Sequence, residues 1–528
     1  MKRYLLLINL ITCSAIYAQT PEDALRYSFY PQNGSARNLA IGGAMGSLGG
    51  DITATFVNPA GLGFYKTNEF ILTPGFLLNN NKINFRETAN KSKKNTMGFG
   101  TSGWVWGFGS RYKKDVSNAI SFAVTQTANF NNSIVYNGLN NYSSFSEQFA
   151  EEFAKANSRY GYTIDDVLNS NSRYPYGSAP ALLSYLIDTF TVTGTNGQKE
   201  IKVKAVPEFI LDAGQALKQE MSRTTSGGIT ELALGFAHNH QDKWFFGGTL
   251  GMPIVKYKSV TNFKESDTSN NNQNSFKQFE YTDDFTTKGF GLNAKLGIIY
   301  RPQEYIRLGL AIHTPTVMGL TDTRTTTIKN QIEKPWWPRG DTTVNASSTT
   351  FTNGEPGKAN YIQSTPFKVM LSASYVFREV SNTKKQRAFI TADAEYVAHN
   401  GSRFKSDNEN PTDEEKVYYK ELGSVVKSEY KGAFNFRLGG ELKFNTVMGR
   451  LGFAYYGNPY KNAPYKANRM LLSGGLGYRN KGMFIDVTYV HNISKDVDLP
   501  YRLEDRANTY ASLKQQRGNI VATVGFKF

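Results

Sequence analysis

A single cysteine, Cys13, and five histidines are all that 528 residues supply of thiol and imidazole chemistry. Cys13 lies in the leading segment, so a chain trimmed behind it keeps no thiol and forms no disulfide. The fold then rests on hydrogen bonds and burial alone. No later stretch approaches the ~18 consecutive apolar residues that a membrane helix needs. Catalytic signatures are missing as well: there is no G-x-S-x-G, no H-E-x-x-H and no P-loop. His238 and His240 share one face of a strand, but a pair alone makes no metal site. The acidic run at 407–415 lacks EF-hand spacing, and nothing points to a shielded axial ligand for haem. These absences predict a chain without enzymatic activity, catalytic residues, cofactor or metal.

Charge is plentiful but unpatterned along the sequence. The net +16 comes from basic residues scattered through turns and loops, with no stripe and no nucleic-acid motif, so no nucleic-acid partner is expected. A solvated surface touching anionic head groups, those of outer-membrane lipids and lipopolysaccharide, is the simpler reading. Residues 1–18 read as an export signal: Lys2 and Arg3 precede an apolar run at 4–11, and Ala18 stands before Gln19 at a plausible cut. Thr12 directly before Cys13 fits a lipoprotein signal poorly.

What the chain does have is 35 phenylalanines, 31 tyrosines and 48 glycines without a long apolar run. Alternating strands produce that combination, because a transmembrane strand shows lipid only every second residue. The last segment, GNIVATVGFKF, puts Ile520, Ala522, Val524, Phe526 and Phe528 on one face. It resembles the C-terminal signal of outer-membrane barrels. Working backwards, fourteen strands begin near Thr67, Thr96, Asn118, Ile229, Lys243, Phe285, Tyr305, Pro366, Arg387, Lys431, Val447, Arg469, Lys481 and Gln515. Their connections alternate short and long along the whole chain. An up-and-down barrel with periplasmic turns and external loops sorts this way, with both termini in the periplasm. Trp104 and Trp106, two residues apart, fit an interfacial girdle. The expected fold is all-β: a 14-stranded antiparallel transmembrane β-barrel over 67–528, in the outer membrane.

Residues 19–66 do not read as barrel. They are rich in Gly and Ala and lack sustained alternation, as a compact plug in a wide lumen requires. The segments EDALRYS (22–28), SARNLAIGGAMGSLGGD (35–51) and NPAGLGFYKTNEF (58–70) resemble the amino-terminal region of FadL-type outer-membrane transport proteins. The branch closest to them is often labelled hemin receptor or aromatic hydrocarbon degradation protein. The resemblance implies a monomeric barrel whose N-terminal hatch blocks the lumen. It also implies a cargo of hydrophobic small molecules, long-chain fatty acids in the best-known case. Such cargo is captured outside and leaves through a lateral gap where the third strand kinks. Only Asn58, Pro59, Ala60 and Gly61 carry over as the hatch motif; a turn tethering the plug to the first strand is the plainer role for them. Some proteins with this barrel act instead as partners in protein secretion or assembly, so a protein partner in the outer membrane is the alternative.

The third strand, AISFAVTQTANFNNSIVYN, carries a local conflict. Its more apolar face, from Phe122 through Val124, Ala128 and Phe130 to Tyr136, is interrupted by Gln126 and Asn132, which are costly against lipid. Either a bulge or wall opening at these two residues relieves the cost, or the facing slips by one residue, which is simpler. The long connection 137–228 predicts an external, helical insertion. Helices are expected over 145–158, with Phe145, Phe149 and Phe153 as an apolar stripe, and over 180–190 and 207–221. Phe149, Phe153 and the loop pair Trp336 and Trp337 are candidate external contacts for an apolar ligand.

Overall fold

A computed structural model describes residues 21–528 except 111, 112, 114, 171, 194–198, 335–340, 378–386 and 462–466. The export-signal reading over 1–18 lies outside the described residues. The strands of the barrel, some interrupted, are β1 (Glu69–Leu72, Pro74–Phe85), β2 (Thr88–Lys93, Thr96–Phe99, Ser102–Gly109), β3 (Ser117–Asn129, Asn132–Asn140) and β4 (Leu217–His240). They continue as β5 (Trp244–Asp267), β6 (Gln278–Gln303), β7 (Ile306–His313, Val317–Ile332), β8 (Gly357–Ser364, Lys368–Phe377) and β9 (Ala388–Ala398, Arg403–Ser406). Last come β10 (Gly432–Phe444), β11 (Val447–Tyr456), β12 (Arg469–Asn480), β13 (Met483–Asp498) and β14 (Ala511–Lys527). Each pairs antiparallel with its neighbour, and β14 closes on β1 through Phe526 opposite Phe70 and Val524 opposite Leu72. Fourteen strands make a closed antiparallel barrel, as the connection parity predicts.

The period-2 pattern now has a physical reading. Outward residues such as Leu250, Phe290, Leu451 and Leu476 are more than 60 % exposed, a band of apolar surface that only lipid can cover. The inward neighbours of these four are small or polar: Thr249 and Gly251, Gly289 and Gly291, Arg450 and Gly452, Gly475 and Gly477. At the short-turn end, Trp104 lies 5.9 Å from Trp106 and 5.5 Å from Phe528 between ring centroids, and Trp244 stacks on Tyr300 at 4.2 Å. These aromatics form the interfacial girdle. Closure of β14 on β1 leaves the sheet no free end strand, which is what allows it to lie in hydrocarbon. The barrel is an outer-membrane architecture.

Several strands start earlier than the alternation suggests. β4 begins at Leu217 rather than near Ile229, and β6 at Gln278 rather than near Phe285. Above the membrane neither face meets lipid, so the apolar alternation fades while the ladder continues. The connection between β3 and β4 accordingly spans 141–216, less than 137–228. Two of its three expected helices are also shorter than their sequence pattern. Glu147–Tyr160 agrees with the stripe at 145–158. The helix over 180–190 is corrected to Ser178–Leu183 followed by a strand, Ile187–Thr193, paired with Lys199–Ala205. The helix over 207–221 stops at Asp212, because Gly214 takes a positive φ of 76° and Leu217 already belongs to β4.

Candidate functional site

The N-terminal segment sits inside the wall and is held by hydrogen bonds around its circumference. Ala36 N–H donates to Thr523 Oγ1 (2.8 Å), and Thr488 Oγ1 donates to Ala36 O (2.6 Å). Met45 and Gly46 N–H donate to the Asp393 carboxylate, and Ser47 Oγ lies 2.8 Å from Ser372 Oγ. Thr55 Oγ1 lies 2.8 Å from Ser121 Oγ, and Ser117 Oγ donates to Gly63 O. The wall is recessed to receive the segment. A Cβ on Gly297 would come 1.8 Å from Asn58 Oδ1, and one on Gly452 would come 2.0 Å from Gly42 N. Only glycine permits that approach.

Asn58 occupies the centre of this packing and is fully buried. Its Oδ1 accepts from Ala60 N–H (3.2 Å) and so caps the 3-10 helix Pro59–Phe64. Its Nδ2 donates to Gly46 O (2.6 Å) and, more weakly at 3.4 Å, to Ile298 O and Leu310 O of the wall. Pro59, Ala60 and Gly61 are buried beside it. A Cβ on Gly61 would lie 2.9 Å from that of Ala54, so the turn is packed to its limit. Charges also line the interior: Arg450 pairs with Glu441 (2.6 Å) and Asp486 (2.5 Å), and Arg437 with Glu395 (2.9 Å). Facing inward, these pairs keep their charges out of lipid.

Among the described residues the ladder of the wall is broken between β2 and β3. β2 pairs with β3 only along Ser102–Gly109, opposite Ser117–Val124. Above Val124, β3 keeps its ladder to β4, and the remaining segments of β2 pair with β1 instead. Side chains bridge again farther up, where Ser92 Oγ of β2 donates to Ser133 O of β3 (2.6 Å) and, from β1, Asn81 Nδ2 donates to Asn132 Oδ1 (2.8 Å). Among the described residues the β2–β3 ladder does not resume above Val124, and Gln126 and Asn132 both lie along this unpaired stretch of β3. Gln126 lies across the break: its Oε1 would be 2.8 Å from a Cβ on Gly98 of β2.

A bulge at Thr127 accompanies the break, since the β3–β4 register shifts between Ile229 and Thr230. This corrects the facing of the third strand. Phe122 points outward, but beyond the bulge Ala128 and Tyr136 are buried inside. The bulge and the slip of one residue are one event, because an extra residue reverses the faces.

Two features beside the break are not legible from the sequence motifs. Asn33 Nδ2 donates one hydrogen to Phe99 O of β2 (2.9 Å) and the other to Gln126 O of β3 (2.8 Å), so an amide of the inner segment stands in for the missing ladder. Just inside, Phe130 meets Tyr27 edge-on at 6.0 Å and Tyr257 at 5.4 Å, and Phe285 follows at 6.2 Å from Tyr257. Phe130, Tyr257 and Phe285 thus form an aromatic strip of the wall, on which Tyr27 of the inner segment packs. The only sequence signal for Asn33 is its place in a Gln-Asn-Gly tripeptide before Ser35.

Phe149 and Phe153 lie in the external cap, at 6 % and 2 % exposure. Phe149 packs on Phe145 (5.6 Å) and Tyr281 (5.7 Å), and Phe145 stacks on Phe263 at 4.3 Å. They touch a ligand only if this cluster parts. Trp336 and Trp337 lie outside the described residues. His238 and His240 face outward with ring centroids 6.2 Å apart, and among the described residues no group of three metal-ligating side chains occurs.

No family model matches the sequence, and no curated protein matches it. Solved structures do. The Pseudomonas putida toluene transporter TodX superposes with a TM-score of 0.51 at 12 % identity, covering 94 % of this chain and 99 % of that one. A Pseudomonas aeruginosa FadL homologue superposes with a TM-score of 0.50 at 14 % identity, over 94 % and 99 %. At such identities the agreement speaks of architecture, and over nearly the full length of both chains. The protein has the FadL-type fold, a fourteen-stranded outer-membrane β-barrel.

Proposed function

We propose that this protein is a passive channel for hydrophobic small molecules, of the fatty-acid or aromatic class, and has no enzymatic role. The observation that carries the reading is the break between β2 and β3 beside Gln126, with the Tyr27, Phe130 and Tyr257 rings immediately inside. An apolar molecule gains nothing by crossing to the aqueous periplasm, but it gains by moving sideways into hydrocarbon. A toluene transporter and a FadL homologue with this fold support the same cargo class. In this reading residues 19–66 are the hatch, Asn58–Gly61 anchor it, and ligand passes from the external cap, where Phe149, Phe153, Trp336 and Trp337 serve as contacts, to the break.

The test combines native mass spectrometry of gently extracted protein with uptake of a labelled monoaromatic or long-chain fatty acid. Bound apolar molecules and slower uptake in a deletion strain are expected. Gly98→Phe, which fills the break beside Gln126, should slow uptake while leaving ligand bound. An empty lumen, a stably co-purifying protein and unchanged uptake on deletion would instead establish the role of a partner in a secretion or assembly complex.

A further inference from the structure

The basic residues look scattered in sequence, and the fold corrects that impression. Lys495 of β13 stands opposite Lys514 of β14, Lys514 opposite Lys82 of β1, and Lys82 opposite Lys91 of β2. Four lysines thus share one row across four hydrogen-bonded strands. All four are exposed, while the neighbours Ile83, Ser92, Ser494 and Leu513 are buried, so the row points outward. Asp496 stands beside Lys495 in the intervening row, opposite Leu513, but the next rows on the lysines' own face hold no carboxylate, and the one nearer the membrane adds Lys93 opposite Asn80. Among the described residues none of the four makes an ion pair.

Like charges directly opposite in a sheet repel, so an unpaired row of four is a feature the fold alone does not reward. It lies toward the long-loop end, the external side. The last fully apolar row on the same strands is Tyr489, Ile520, Phe76 and Met97, six residues below Lys495 on β13. At ~3.4 Å per residue and the usual barrel tilt, that is about 15 Å above the hydrocarbon. Phospholipid head groups reach only about 5–8 Å beyond the hydrocarbon. The row also spans roughly 14 Å at ~4.8 Å per strand, too wide for one phosphate.

We propose that this row binds the anionic inner sugars of lipopolysaccharide in the outer leaflet, several phosphate or carboxylate groups lying along the four ammonium groups. Its height excludes a phospholipid and its width suits a polyanion. The contact is independent of the channel reading: it sits on the outside of the wall and needs no cargo.

The test uses the full-length protein in phosphatidylcholine nanodiscs with or without lipopolysaccharide. The variant Lys82→Gln/Lys91→Gln/Lys495→Gln/Lys514→Gln should lose affinity by roughly fivefold per lysine. Lys243→Gln/Lys481→Gln, which removes charge at the short-turn end, should bind as the parent does. Heat-modifiable gel mobility verifies folding, and Lys514→Gln alone serves if the quadruple variant does not assemble. In glycolipid-free detergent at low salt the quadruple variant should be more heat-stable than the parent, and lipopolysaccharide should reverse that order. Binding within twofold of the parent, equal competition by inorganic phosphate, or equal binding to phosphatidylglycerol discs would overturn the proposal.

Discussion

Asn33 spends both amide hydrogens on backbone carbonyls of two strands that do not otherwise pair at that level, Phe99 O and Gln126 O. Removing such a donor leaves two acceptors to find water or stay unpaired, at a cost of about 1–3 kcal/mol. Asn33→Ala should loosen the break without dissolving the barrel. Hydrogen exchange is expected to rise in 96–101 and 125–131 and stay unchanged at the β13–β14 seam; equal exchange in both places would refute the bridging role. Gly452 makes the complementary case. A methyl there would strike the Gly42 amide, whereas at Gly449 nothing lies within 4 Å. Gly452→Ala should displace the inner segment and raise ion leakage across planar bilayers, with Gly449→Ala as the silent control.

Among elements, the external cap has packing that titrates. Glu147, in the first turn of Glu147–Tyr160, has its pKa raised from 4.5 to about 7 because burial disfavours the carboxylate. The sign follows from proton counting. Between about pH 4.5 and 7 the folded cap holds a proton that the unfolded chain has released, so stability falls as pH rises through that window. Exchange protection of 145–160 should be greater at pH 5 than at pH 8, and Glu147→Gln should flatten the difference. A cap that protects equally at both values would show that Arg506, 3.2 Å from Glu147, compensates the charge. The same cap shows where sequence reading ends. Phe145, Phe149 and Phe153 announce their helix by spacing, and transmembrane strands announce themselves by alternation against lipid. The upper part of β4, from Leu217 to Gly228, announces nothing, because above the membrane its two faces meet other protein and water. The break beside Gln126 is half legible: the polar residue on an apolar face marks the place, but the bulge at Thr127 and the Asn33 bridge arise from partners about 100 residues apart.

For the molecule as a whole, the outward band sets stability in the membrane. Leu451 is 75 % exposed near the middle of β11. Leu451→Lys should cost about 2–4 kcal/mol by urea titration of the folded, heat-modifiable form, falling toward zero for the same change at the band's rim. The fourteen-strand count and closure were readable because loop parity is a global property that survives soft strand boundaries. The wall glycines were not, since a glycine in a strand reads as weakness until its neighbour across the lumen is known.

That docking has a bearing on how the molecule is made. The segment at 36–63 is synthesised before any wall exists, yet its partners include Ser117 on β3 and Thr523 on the last strand. The Ala36 amide in particular finds its acceptor, Thr523 Oγ1, only once β14 is in place. Docking of this segment is therefore complete only when the last strand has joined the first.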